Sequence, residues 1–392
     1  MPSIVRDYWS REFFAYLIYG SSMRFKFFTI LMVFLFITSC TKKAEEKVAT
    51  PPAAGHAGVT RVGLVLDRGG KDDKSFNAAA FKGATEAAKE MGIELKTVES
   101  PDDSSYEPSI RTLAERGYNL VVTVGFSQAD ALKKMSPLFP NTHFAIVDSF
   151  VDKPNVASLL FTEHEGSFLV GYIAGLATKS HVLGFVGGMD VDLIKRFELG
   201  YREGVKYADP RAKILSNYAG VTSEAWMNPT KGKELALSQI GQGADVIFTA
   251  AGATNAGVFD AVEEKKKLAI GVDSNQNWVK PGFILTSMLK RVDVAVHDII
   301  KAEADKRFVA GNKYFGLADK GVDYALDQYN DKLITQAMRT QIEKVRADIL
   351  SGKIRVSDYY ITRNLCPSSP FKCDKSPRRT EESERTTQSI SK

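Results

Sequence analysis

The chain has 392 residues and a formal net charge of +5. Arg6, Arg11, Arg24 and Lys26 against Asp7 and Glu12 give the first 39 residues +2, and seven basic against four acidic residues give 363–392 another +3, so the stretch between is balanced. A nucleic-acid-binding domain usually shows a basic field on its folded part, and this balance argues against one. Hydrophobic (44%) and charged (25%) fractions are those of a globular protein long enough for two domains.

Arg24 and Lys26 lead into the short apolar run Phe27 to Ile37, closed by Thr38-Ser39-Cys40. That order of charge, apolar stretch and small residues describes a secretory signal, and the run falls short of the roughly 20 residues of a membrane-spanning helix. A signal ending at Ser-Cys resembles the bacterial lipobox. On that reading Cys40 is lipidated and becomes the mature N-terminus, Met23 is the true start, and residues 1–39 are leader and signal peptide. The alternative is a buried apolar helix with a core cysteine. Acyl chains contribute about 0.8 kcal/mol per buried methylene, enough to hold the protein on a membrane of the bacterial cell envelope. Thr41 follows the cysteine, which leaves inner membrane, outer membrane and cell surface open. Residues 40–60, rich in Lys, Glu, Ala and Pro, read as a tether.

From Arg61 the chain alternates strand and helix. Strands are expected at 61–66, 95–98, 120–124, 144–147 and 156–160, with helices at 76–91, 110–116, 129–135 and 165–179. The pattern then restarts: strands at 182–186, 213–218, 246–249 and 268–272 enclose helices at 193–207, 231–240 and 255–264. A strand at 284–289 and helices at 292–308 and 331–350 cross back. This is an α/β chain of two doubly wound parallel-sheet lobes joined by a hinge. The first takes 61–161 plus 286–320, the second 162–285 plus 321–362. Residues 363–392 read as a disordered tail, in which Cys366 and Cys373 could form a small disulfide loop.

Ligands of such sheets sit at the carboxyl ends of the strands. There the segment Asp67-Arg68-Gly69-Gly70-Lys71-Asp72-Asp73-Lys74-Ser75-Phe76-Asn77 leaves the first strand for a helix. Asp73 or Ser75 could cap that helix. Phe76 could stack on a flat ligand or belong to the core. Catalytic and metal patterns are weaker. Gly125-Phe126-Ser127-Gln128-Ala129 imitates a nucleophile elbow but lacks its final glycine. Gly184 to Gly188 lacks the dinucleotide spacing. His164 between Glu163 and Glu165 cannot converge with them on one ion, since neighbours along a helix diverge. No cofactor, no metal and no enzymatic activity is expected.

The Asp67–Asn77 segment resembles the signature of the basic membrane lipoprotein family (Bmp/Med), and closely that of its purine nucleoside receptors. So do His164–Tyr172, Gly184–Met189, Pro229–Glu234, Ile270–Ser274 and Leu285–Lys290. The resemblance covers about 61–360. It implies a type I periplasmic-binding-protein fold that captures adenosine, guanosine or inosine and delivers it to the permease subunits of an ABC-type importer. Carried across by position, Asp67 and Asn77 line the pocket and Phe76 and Trp226 flank the purine. Trp226 departs from the family's usual Phe. Asp148 resembles the base-reading carboxylate, Asp273 and Lys290 the ribose-binding pair, and Gly252 the loop beneath the sugar. The alternatives are the same fold binding another small solute, such as a sugar, or a surface-exposed adhesin.

Overall fold

The computed structural model describes residues 58–368 and 370–373. Cys40, the signal, nearly all of the tether and the tail from residue 374 lie outside the described residues.

The first lobe begins β1 (Arg61–Leu66), α1 (Phe76–Met91), β2 (Glu94–Glu99), α2 (Tyr106–Glu115), β3 (Leu120–Val124), α3 (Ala129–Met135), β4 (His143–Val147) and β5 (Val156–Phe161). The chain crosses at Thr162 into α4 (Glu163–Ala177), β6 (Val182–Met189), α5 (Asp192–Ala208), β7 (Lys213–Gly220), α6 (Pro229–Gly241), β8 (Val246–Ala250), α7 (Asn255–Lys265), β9 (Leu268–Asp273) and β10 (Ile284–Lys290). It returns through α8 (Val292–Ala304) and β11 (Gly311–Phe315), and ends with β12 (Val322–Tyr324), α9 (Gln336–Leu350) and α10 (Tyr359–Leu365).

The two six-stranded sheets run β11-β5-β4-β3-β1-β2 and β12-β10-β9-β8-β6-β7. Every pairing is parallel except that of β12 with β10. β3 and β8 are buried at every residue, as strands covered by helices on both faces must be. On the second lobe α4 and α5 pack backbone to backbone. A Cβ at Gly171 would overlap the Tyr201 carbonyl, and one at Gly204 the Phe168 carbonyl.

The two-lobed α/β class holds, with differences in detail. β10 completes the second sheet beside β9, so the return to the first lobe falls after Lys290 rather than at residue 286. Its run from Ile284 to Met288 is buried throughout, which needs a sheet interior. α4 starts at Glu163 and ends two residues before the expected 179. α9 starts after Thr335, whose hydroxyl caps it by accepting from the Met338 N–H. Order also continues past residue 362: α10 runs to Leu365, capped by Asp358, and Cys366 is disulfide-bonded to Cys373.

Candidate ligand-binding site

Asp67, Phe76, Asn77, Asp148, Trp226, Gly252, Asp273 and Lys290 all line one cleft between the lobes. Its empty space is about 560 Å³, open solvent at the mouth included. Each residue arrives from the carboxyl end of a strand, in accord with the topology of such sheets.

The loop from β1 to α1 is built around Asp73. Its carboxylate accepts from the N–H groups of Ser75 (2.8 Å), Asn77 (2.9 Å) and Ala78 (3.0 Å), so Asp73 rather than Ser75 caps α1. Asn77 is committed to the same loop. Its Oδ1 accepts from the Asp67 N–H at 2.9 Å, and its Nδ2 donates to the Arg68 carbonyl and to Asp73, both at 3.1 Å. Asp67 is buried and accepts from the Tyr106 hydroxyl and the Arg68 N–H. Burial pushes its carboxyl up to about 6 despite those bonds. Gly125 follows β3 with φ 109°, and a Cβ there would overlap Asp67. Ser127 stands beside that carboxyl.

Asp148 and Asp273 follow or close the corresponding strands β4 and β9, both in the left-handed region (φ 69° and 64°). A non-glycine residue there is uncommon, and such strain gathers at functional positions. Each reaches the other lobe. Asp273 accepts from the Ser75 hydroxyl at 2.6 Å, and Asp148 Oδ2 accepts from Lys290 Nζ at 2.6 Å. The second oxygen of Asp148 is buried without a partner. Burial pushes Asp148 up to about 7 and Asp273 up to about 6.

Lys290 is 1% exposed. Besides Asp148 it holds Glu163 at 3.0 Å, and its ammonium lies 5.0–5.5 Å from the ring centres of Phe76, Phe161 and Phe197. Burial alone would lower it, but Asp148, Glu163 and Asp273 raise it and keep it charged. Glu163 is buried too, and Lys290 and Arg196 together hold its carboxyl below the usual range.

The aromatic walls are arranged less simply than expected. Trp226 ends a short 3₁₀ turn (Ser223–Trp226) and its ring meets Phe126 edge-on, centroids 6.4 Å apart. Its indole N–H is buried and unpartnered. Leu193, Ile194 and Phe197 of α5 extend the apolar lining. Across the mouth Arg68 pairs with Glu224 at 2.6 Å. Ser274 donates to the Ser75 carbonyl and Gln276 to the Lys74 carbonyl, both at 2.9 Å.

Sequence reasoning missed Arg68, Phe126, Phe197 and Glu163. Phe126 lay in the segment weighed as a nucleophile elbow, and Glu163 beside the weighed His164. Among the described residues no group of three or more His, Cys, Asp or Glu is placed to hold a metal ion.

Residues 60–358 match the family model described as ABC transporter substrate-binding protein, PnrA-like (Bmp). The chain belongs to this family. It is 34% identical over 319 residues to an ABC transporter nucleoside-binding protein, BmpA, of Lactococcus lactis, covering 76% of this chain and 88% of that one. A lipoprotein of Pyrococcus abyssi is 35% identical over 280 residues, 67% of this chain and 68% of its own. A crystallised solute-binding protein of an ABC transporter system from Aeropyrum pernix K1 superposes with a TM-score of 0.72 at 29% identity, covering 79% of this chain and 97% of that one. This Bmp-family chain is thus a substrate-binding protein.

Proposed function

We propose that this protein is a lipid-anchored receptor that captures purine nucleosides (adenosine, guanosine or inosine) in the interlobe cleft and hands them to the permease subunits of an ABC importer. The mixed lining of the cleft carries this reading. Phe76, Phe126, Trp226 and the α5 side chains offer apolar faces, and Asp67, Asp148, Lys290 and Asp273 set charged groups beside them. A nucleoside offers both kinds of surface, flat and apolar at the base, rich in hydroxyls at the sugar. Stacking on aromatic rings contributes about 1–3 kcal/mol per base. Hydrogen bonds from sugar hydroxyls to carboxylates are charge-assisted.

The pairing of Asp148 with Lys290 changes one assignment. A carboxylate 2.6 Å from Lys290 belongs with Asp273 at the sugar end, its free oxygen facing a hydroxyl. The base edge then falls to Asp67, just past β1. β3 separates β1 from β4, which sets Asp67 about 10 Å along the cleft at ordinary strand spacing. Asn77 shapes the loop that presents Asp67. The nucleoside-binding relative and the lipoprotein relative support the ligand class and the anchor, with Cys40 as the lipidation site.

A thermal-shift panel tests the reading on protein stripped of carried-over ligand by unfolding and refolding. Ligand at about 100 times its dissociation constant adds roughly 2.7 kcal/mol to native stability. Purine nucleosides should raise the melting temperature by several degrees, and ribose should not. No rise with any nucleoside, in protein shown to be folded, contradicts the proposal.

A further inference from the structure

The cleft lysine is one link in a buried chain of alternating charge that leaves the cleft altogether. Glu163 divides its two oxygens between two cations, Oε1 to Lys290 at 3.0 Å and Oε2 to Arg196 Nη1 at 2.7 Å. Arg196, 9% exposed, also donates to the Phe161 carbonyl. With its other face it grips Asp358 in two parallel bonds, Nε to Oδ1 at 2.8 Å and Nη2 to Oδ2 at 2.6 Å. Such fork-to-carboxylate bonds fix orientation as well as distance.

Asp358 belongs to the C-terminal segment, where it caps α10 by accepting from the Tyr360 N–H at 3.0 Å. The Tyr360 ring lies under the Arg196 guanidinium at 4.9 Å, and Arg363 pairs with Asp192 at the start of α5. The order is therefore Asp148, Lys290, Glu163, Arg196, Asp358. Only the first two of these line the cleft. The chain also runs through the hinge. Phe161 to Glu163 and Lys290 to Val292 are two of the three stretches that pass between the lobes, the third joining β11 to β12.

We infer that Arg196 and Asp358 are positioning residues for the cleft lysine, so that the C-terminal helix sets ligand affinity from outside the cleft. Glu163 alone cannot fix Lys290, because a carboxylate held at one oxygen can pivot. Arg196 removes that freedom by fastening the second oxygen, and Asp358 removes the corresponding freedom of Arg196. Nothing in this sequence of contacts requires Arg196 or Asp358 to touch the ligand. The inference rests on the cleft being a nucleoside site only for its affinity readout.

The test is a double-mutant cycle in the full chain, with inosine as the calorimetric probe. Asp358→Asn keeps a side chain that can cap α10 and removes the charge together with one of the two acceptors that grip Arg196. Asp358→Asn and Glu163→Gln should each weaken inosine by about fivefold or more, and the double variant should be no weaker than the worse single one, since contacts in one network are not additive. Asp358→Glu, which keeps the charge, should recover most of the loss. Losses that multiply, or no loss from Asp358→Asn, overturn the inference. Arg196→Lys keeps the charge without the two-pronged fork and supplies a second cycle should Asp358→Asn fail to fold. If native protein binds no inosine, the functional reading fails, and the inference is judged without ligand. In protein labelled with [¹⁵N]lysine, the Lys290 ammonium signal, protected in the native chain, should disappear in Asp358→Asn; an unchanged signal overturns it.

Discussion

The two lobes share a strand order position by position yet contribute differently to the cleft. β4 and β9 occupy equivalent places in their sheets, and each is followed or closed by an aspartate in the left-handed conformation. Asp148 crosses to an ammonium of the second lobe, whereas Asp273 crosses to a hydroxyl of the first. Repetition of the sheet thus supplies two carboxylates at matching sites, and the partner opposite each makes one site ionic and the other neutral. The lobes differ in their sixth strand as well, β11 being parallel to β5 and β12 antiparallel to β10. The common part of the lobes builds the scaffold, and the partner opposite each aspartate makes the two sides of the cleft unequal.

The largest expected effect comes from removing the ionic bridge. Lys290→Met takes from Asp148 the ammonium paired with it and removes the donor proposed for the sugar. Inosine affinity should fall about 100-fold, since a hydrogen bond to a charged group contributes roughly 1.5–3 kcal/mol; a calorimetric loss under tenfold would mean the ionic site is not the stronger of the two. Asp273→Ala probes the neutral crossing. It should weaken inosine about tenfold to thirtyfold by loss of charge-assisted bonds and leave hypoxanthine almost untouched, and equal losses for nucleoside and base would remove Asp273 from the sugar. Trp226→Ala should cost about tenfold for nucleoside and free base alike, the scale of one stacked face. An unchanged constant there takes the indole out of the site.

The remaining effect is on stability rather than affinity. Asp148 titrates near 7 in the fold against 3.8 for an ordinary aspartate, so between those values the folded state holds the extra proton. Stability attached to this group is full below pH 3.8 and is lost as pH rises towards 7. Asp148→Asn removes the dependence, and asparagine tolerates the left-handed backbone. Denaturant unfolding should show the variant gaining on the native chain from pH 5 to pH 8. A pH-independent difference would mean that Asp148 ionises freely.

Much of the scaffold was legible because buried parallel strands are written as short apolar runs, such as Leu120–Val124 and Val246–Ala250, with turn residues at their carboxyl ends. The polar residues just past those runs, Asp67, Asp148 and Asp273, are the ones the fold brings together. β11, β12 and α10 were hidden: Gly311–Phe315 and Val322–Tyr324 are short and polar, and α10 depends on a cap at Asp358 held by a residue 162 positions away. The partners within the cleft were equally hidden. Ser75 reads as a helix cap until Asp73 is seen to take the N–H groups, and Glu163 joins Lys290 only because α4 starts beside the end of β10. Side-chain reach between lobes leaves no periodicity to read.

The account turns on a cleft that takes a base and a sugar together and rejects phosphate. Calorimetric titration of the stripped protein with inosine, and separately with inosine monophosphate, tests that directly. One-site binding of inosine, with the monophosphate far weaker because Asp67, Asp148 and Asp273 repel its charge, is the predicted result. Equal affinity for both, or no heat with inosine, would contradict it.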